Sequence, residues 1–329
     1  MPTRRRALLI LAVLAALSQL CIAMALMVGS IAINPAEVLA TLVGDGGGTA
    51  GDVVRSLRLP RALTGFACGG LLALAGALLQ VLLRNPLADP YVLGISGGAG
   101  IGALLAIVLG FGVGGINGLA FVGALGAMLL VFGLAHGEGG WTQSRLLLTG
   151  VIVAAGCGAV VTLMLAIAPE DRLRGMLFWL MGDLSQTGDP QLVLLLLLLV
   201  LLIALPFARE LNLLARGADV AQALGVAVRP LRRGVYLLAS LATAAAVTHA
   251  GAIGFIGLIV PHLVRLAAGN DQRLLLPASV LAGGSLLVIA DTLARTLLAP
   301  QQLPVGVLTA LIGVPAFLFL LTRSTPGRH

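Results

Sequence analysis

The 329-residue chain contains no lysine, and all 20 of its basic side chains are arginines. A Walker-type phosphate loop needs a lysine on the nucleotide phosphates, and Schiff-base chemistry needs a side-chain amine, so both are excluded. Charge is scarce, at 10% of residues, against 59% hydrophobic. That is not a soluble composition; it is the composition of a membrane protein. Only three cysteines occur, Cys21, Cys68 and Cys157. They are odd in number, lie in apolar runs and show no CxxC spacing, which speaks against a disulfide framework or metal cluster. They read as small apolar packing residues, and no cofactor or metal is expected.

A helical span needs about 20 mostly apolar residues. The chain predicts an all-α, polytopic fold of about ten spans, at 7–33, 62–83, 92–113, 118–135, 146–168, 192–207, 234–247, 251–268, 274–298 and 305–321. The short connections leave no room for a folded domain outside the membrane, so 1–329 reads as one transmembrane domain. With the N-terminus inside, one set of connections carries fourteen arginines and the other only six, namely Arg55, Arg58, Arg61, Arg172, Arg174 and Arg295. The positive-inside rule therefore places both termini of this multi-pass protein in the cytoplasm. The +7 charge reflects this sidedness; a nucleic-acid partner would need a basic face with a reading element. A second reading of the N-terminus exists, because Arg4 to Arg6, an apolar stretch and Ala23-Met24-Ala25 imitate a cleavable signal. The apolar run continues to Ile33, long enough to cross, and favours an uncleaved span.

Several segments are not simple spans. Asn34-Pro35-Ala36-Glu37 carries a helix start, predicting a short outer helix through Leu42. The glycine-rich stretch 44–51 is expected to be a flexible loop ahead of Arg55, Arg58 and Arg61. Residues 169–181 look helical but are too short to cross and hold four charges, which suggests a re-entrant or interfacial helix. Asp189-Pro190 opens the sixth span. The longest cytoplasmic connection, 208–233, contains one or two helical turns at 218–224 stopped by Gly225. Such a knob suits docking of a soluble partner; a loop resting on lipid headgroups is the plainer alternative. Gly94, Gly98 and Gly102 recur at steps of four, letting neighbouring helices approach. Gly98, Gly100 and Ala103 also match the dinucleotide fingerprint, but no strand precedes them.

Tests for chemistry come out negative. His136, His249, His262 and His329 form no HExxH and have no carboxylate at helical spacing. His262 reads as packed or pore-lining. Nearly all acids, Asp45, Asp89 and Glu138 among them, sit in connections, and Asp291 is expected to pair with Arg295 four residues on. Ion coupling usually requires an ionisable residue at mid-bilayer, and none is evident. The chain is not expected to be an enzyme, and uphill transport would draw its energy from a partner.

The run RSLRLPRALTGFACGGLLALAGALLQVLLRNPLADPYVLGISGGAG, then SRLLLTGV, LNLLARGADVAQALGV, GFIGLIVPHLVRL and ADTLARTLLAPQQLPVGVLTALIGVPAFLFLL, resembles the FecCD family over nearly the whole chain. Those proteins are permease subunits of binding-protein-dependent ABC importers for iron-siderophores, haem and cobalamin. The resemblance implies a homodimer in the bacterial inner membrane with a path along its axis, two cytoplasmic ATPase subunits, a periplasmic binding protein and a large metal chelate, ferric siderophore or haem with cobalamin as the alternative. By motif position it implies that Arg58, Arg61 and Arg295 receive the binding protein, although headgroup snorkelling is the alternative for such side chains. It likewise implies that Asn85, Leu87, Gln143 and Ser144 close the cytoplasmic end of the path and that Arg174 stands at its entrance. ATPase coupling falls on Leu213, Ala218, Asp219, Ala221, Leu224 and Gly225. A channel or carrier without an ATPase is the competing class.

Overall fold

The computed structural model of the chain describes residues 4–29, 31–44, 47–135, 142–185 and 188–323. Asp45, His136, Glu138, Arg328 and His329 lie outside them. Among the described residues the regular structure is entirely helical. In a bilayer an α-helix is the one open-chain form that satisfies its own backbone groups.

Helix α1 (Arg4–Met27) is followed by the expected short helix α2 (Pro35–Val43). Asn34 Oδ1 caps it by accepting from the Ala36 amide at 3.2 Å, and Gly44 ends it in the left-handed conformation. The anticipated loop after it is helical from Gly48 onward. Helix α3 (Gly48–Val53) passes through a π-helical turn, Val54–Arg58, into α4 (Leu59–Leu82). Helical glycine costs about 1 kcal/mol relative to alanine. Tertiary packing offsets that here, because Val54 is fully buried against Leu26, Ile33 and Val38. The Arg55 guanidinium also donates to Thr41 O at 2.7 Å, tying this helix to α2.

The chain continues through a 3-10 turn, Pro90–Leu93, to α5 (Ile95–Val108), α6 (Val113–Leu134), α7 (Gln143–Ile167) and α8 (Glu170–Leu180). Next come α9 (Gln191–Ala204), α10 (Ala208–Arg216), α11 (Ala218–Ala223) and α12 (Val228–Ala250). The last three are α13 (Ile256–Ala268), α14 (Gln272–Ala294) and α15 (Val305–Arg323). Each of the ten apolar segments read from the sequence overlaps one of these helices. Six helical runs are long and apolar enough to cross a bilayer: Arg4–Met27, Gly48–Leu82, Val113–Leu134, Gln143–Ile167, Gln191–Arg216 and Gln272–Ala294. By contrast α13, with 13 residues, reaches about 20 Å at 1.5 Å per residue. The seventh segment begins earlier than its hydropathy indicated, so Arg229, Arg232 and Arg233 ride on the first turns of α12 rather than in a connection.

Helix α4 forms the centre, buried at every residue from Ala67 to Leu82 and packed by α9, α12, α13 and α14. A second layer pairs α5 with α6. Gly98 and Gly102 of α5 seat against α6, where added Cβ atoms would fall 2.3 Å from Gly123 O and 2.0 Å from Leu119 O. Gly94 does not share that face; it precedes the helix at φ 75° and turns toward α7. Buried polar groups find partners across helices: Tyr236 donates to Met128 O at 2.9 Å, and the Ser18 and Ser285 hydroxyls meet at 2.8 Å. By contrast α7 buries only Leu146, Gly150 and Val153, leaving a broad apolar face uncovered.

Candidate functional site

The arginine sets separate to opposite ends of the bundle. At the end with fewer arginines, the C-terminus of α1 meets the start of α4 and the close of α14. Arg58 donates to Leu26 O at 2.7 Å, to Met27 O at 3.0 Å and to Ile31 O, supplying donors to carbonyls that a helix end leaves unpaired. Its residue exposure is 5%, so this cation is occupied by the fold rather than displayed. Arg61 grips Asp291 in a two-point ion pair and also donates to Gln302 Oε1 at 3.0 Å. Arg295 turns to Ala25 O. The sequence-based pairing of Asp291 with Arg295 is therefore incorrect. The Asp291 carboxylate belongs to Arg61, and only the backbone amide of Arg295 reaches back to Asp291 O, at 3.1 Å. The three arginines do converge, but mostly inward, as clamps between helix ends.

The same end holds α8, which Pro169 precedes, with Glu170 and Asp171 in its first turn where the helix dipole favours acids. Arg172 pairs with Asp171 at 3.2 Å. Arg174 lies exposed, 5.6 Å above the Phe178 ring. Behind them opens a cavity of about 520 Å³ bounded by α5, α6, α8 and the end of α12, with Phe111, Trp179, Asp183, Thr248 and His249 in its wall.

A second cavity, of about 560 Å³, lies between the 3-10 turn, α5, α7 and the linker joining α12 to α13, and small residues such as Gly97, Gly100, Ala154 and Gly158 line much of it. Asp89 and Tyr91 add polarity. Asp89 Oδ1 accepts from the Tyr91 amide at 2.8 Å, and the Tyr91 hydroxyl accepts from the Ile253 amide at 2.9 Å. Burial pushes the Asp89 carboxyl up to about 6, only partly opposed by the Tyr91 amide. Phe255, also in this wall, takes a left-handed φ of 70°, uncommon for an aromatic residue.

At the arginine-rich end, Asn85 Oδ1 accepts from the Leu87 amide at 2.9 Å, forming the tight turn read from Asn85-Pro86. Gln143 donates to Leu82 O at 3.0 Å, which brings the start of α7 to that turn. Ser144 and Leu87 are exposed. Nearby, the anticipated turns at 218–224 are α11, and Gly225 follows with φ 83°. Within this group Ala221 is fully buried, whereas Asp219, Leu224 and Gly225 are exposed and Leu213 and Ala218 are half-buried. Sequence reasoning missed α10, whose Leu211 and Leu214 are buried while Arg216 is exposed. The spacing of those leucines was the available signal. It also missed Gln80, which accepts from Arg265 at 2.8 Å and donates to Leu258 O at 3.2 Å inside the bundle. A cavity of about 850 Å³ opens there, with Arg84, Arg216 and Arg265 in its wall.

Among the described residues no group of three histidine, cysteine, aspartate or glutamate side chains is arranged to hold a metal ion. The site is thus three cavities, an arginine clamp and an exposed helical knob.

A family model described as the FecCD transport family matches residues 13–323. The cobalamin import system permease protein of Halobacterium salinarum is 46% identical over 276 residues, covering 83% of this chain and 74% of that protein. The hemin transport system permease protein of Yersinia pestis is 41% identical over 286 residues, covering 83% and 84%. A solved structure of a metal-chelate type ABC transporter in an inward-facing conformation is 32% identical, with a TM-score of 0.83 over 96% of this chain and 99% of that one.

Proposed function

Because this chain belongs to the FecCD transport family, we propose that it is the permease subunit of an ATP-driven importer that moves a large metal chelate inward across the membrane. The observation carrying this reading is the likeness along almost the entire chain to permeases of that kind. The cargo is a ferric siderophore or haem, with cobalamin as the alternative within the same family.

On this reading the arginine-rich end faces the cytoplasm, and two copies meet across the uncovered apolar face of α7 with the path between them. The exposed face of α11, with Asp219, Leu224 and Gly225, receives an ATPase subunit. Leu213, Ala218 and buried Ala221 support it from beneath. Asn85, Leu87, Gln143 and Ser144 close the path at the cytoplasmic end, and Arg174 stands at its outer mouth. The binding protein docks where Arg61 and Arg295 converge, while Arg58 holds that surface in place through the end of α1.

The test is co-expression with a candidate ATPase and binding protein. ATP hydrolysis by the purified complex should rise when the binding protein carries its chelate. A permease that purifies without any ATPase and equilibrates its solute passively would be a carrier instead. Closure is tested separately: a cysteine introduced by Leu87→Cys should cross-link between copies in one nucleotide state only, and a nucleotide-independent yield would remove the gate assignment.

A further inference from the structure

The cavity beside α8 holds three features that transport in general does not require. The first is the tautomer of His249. Its Nδ1 lies 2.8 Å from Ala245 O, a carbonyl that can only accept, so in the neutral ring the proton sits on Nδ1. The lone pair is then on Nε2, the nitrogen free to ligate, on a ring that forms part of the cavity wall.

The second is Thr248, in the same wall. Its residue is 5% exposed and its hydroxyl has no hydrogen-bond partner, although a buried hydroxyl in a helix ordinarily bonds a carbonyl one turn back. The third is the charge balance. Asp183 is occupied by the Ser185 amide at 2.7 Å and the Ser185 hydroxyl at 2.5 Å, and Asp171 is paired with Arg172. Among the described residues no carboxylate lies within ion-pair distance of Arg174. Phe111, Phe178 and Trp179 add flat apolar surface.

Resting on the importer reading above, we propose that this cavity is a reception subsite for an iron porphyrin bearing carboxylates, with His249 Nε2 as an axial ligand to the iron. Arg174, supported by Arg172, takes a carboxylate, the aromatic side chains face the macrocycle, and the Thr248 hydroxyl meets a polar edge of the cargo. The about 520 Å³ of the cavity falls in the range of small-molecule sites. The chemistry separates the candidate cargoes. A ferric hydroxamate has its metal already saturated and offers an imidazole no position. A corrin's ring carries neutral amides and its one anion is a phosphodiester on the nucleotide loop, so its macrocycle edge gives the guanidinium no carboxylate. A porphyrin has an open axial position and carboxylates suited to arginine. Ligation exchanges an axial water on ferric iron for the imidazole and leaves the oxidation state unchanged.

The experiment uses the permease with its co-expressed ATPase in lipid nanodiscs, titrated with hemin and followed by the Soret band. Wild type should show a saturable imidazole-ligated spectrum with one hemin per permease chain. His249→Ala should lose it and bind at least about tenfold more weakly, with free imidazole restoring the spectrum. His262→Ala should retain it. Arg174→Gln should weaken hemin but leave hemin dimethyl ester, which has no carboxylates, unchanged. An imidazole spectrum that persists in His249→Ala, or disappears in His262→Ala instead, overturns the ligand assignment. An equal effect of Arg174→Gln on the diester overturns the carboxylate assignment. A complex that keeps its ATPase and responds to a siderophore- or cobalamin-loaded binding protein, yet shows no His249-dependent spectrum, overturns the haem subsite alone; absence of any ATPase partner overturns the importer reading.

Discussion

Arg61 and Asp291 lie 230 residues apart and meet side by side, Nε 2.9 Å from Oδ2 and Nη2 2.8 Å from Oδ1. The pair joins the first turn of α4 to the last turns of α14, at the point where Arg58 and Arg295 reach across to the carbonyls of α1. Three helix ends are thereby held by three guanidiniums and one carboxylate.

Side-chain exposures of 13% and 7% put this pair largely out of water. Removing one partner of a buried pair leaves the other charge uncompensated, at a cost of about 3 to 5 kcal/mol. Asp291→Ala should therefore lower the melting temperature of the detergent-solubilised protein markedly, and Asp291→Asn should do less damage because the amide oxygen still accepts. A melting temperature unchanged in Asp291→Ala would reduce the pair to a surface contact.

Helix α11 allows its fold and its docking face to be separated. Ala221→Pro removes the amide that donates to Gly217 O at 3.0 Å and should cost about 3 kcal/mol locally. Leu224→Glu changes an exposed side chain, 62% accessible, and should leave stability within about 0.5 kcal/mol. Both variants should uncouple chelate-stimulated ATP hydrolysis. Coupled hydrolysis in Leu224→Glu would move the ATPase contact elsewhere.

Two glycines should respond in opposite directions to the same added methyl. At Gly102 a Cβ would lie 2.0 Å from Leu119 O, so Gly102→Ala must push α5 from α6 and should destabilise by about 1 to 3 kcal/mol or more. Gly118, on α6, meets nothing within 4 Å, and Gly118→Ala should gain about 0.5 to 1 kcal/mol from helix propensity. Thermal denaturation of the two variants side by side checks the sign.

Asp89 should titrate near pH 6 rather than near its ordinary 3.8, because burial disfavours the carboxylate. The fold thus prefers the protonated form. The contribution of this group to stability is fully present below about pH 4 and declines as pH rises to about 6. Infrared difference spectra should show a protonated-carboxyl band that bleaches with a midpoint near 6 and is missing in Asp89→Asn. A midpoint near 4 would mean that the cavity wall is well hydrated.

The parts legible in the chain are those whose physics is local. Asn34 and Pro35 announce α2 because a cap and its helix are adjacent in sequence, and Gly225 announces the end of α11 for the same reason. Helix α8 was visible in its length and charges. Where local signals and packing disagreed, packing prevailed: glycines in 44–51 read as a loop, but burial of Val54 and the Arg55 bond to Thr41 draw Gly48 onward into a helix. The Asp291–Arg295 expectation failed similarly, since a four-residue spacing permits a pair without preventing a better partner from another helix.

Taken by itself, the sequence determined the solvent this protein needs, its helical class, the separation of its arginines and the place of its caps. Each of these follows from composition or from interactions within a few residues. Tertiary structure alone decided that Arg58 faces α1 carbonyls, that Arg61 takes Asp291, and that His249 and Thr248 share a cavity with Arg174. Those outcomes depend on which helix ends converge, and helices of similar hydropathy carry no label for their neighbours. What selects the neighbours is close approach at small residues and the need of each buried polar group for a partner, and both are properties of pairs of distant segments.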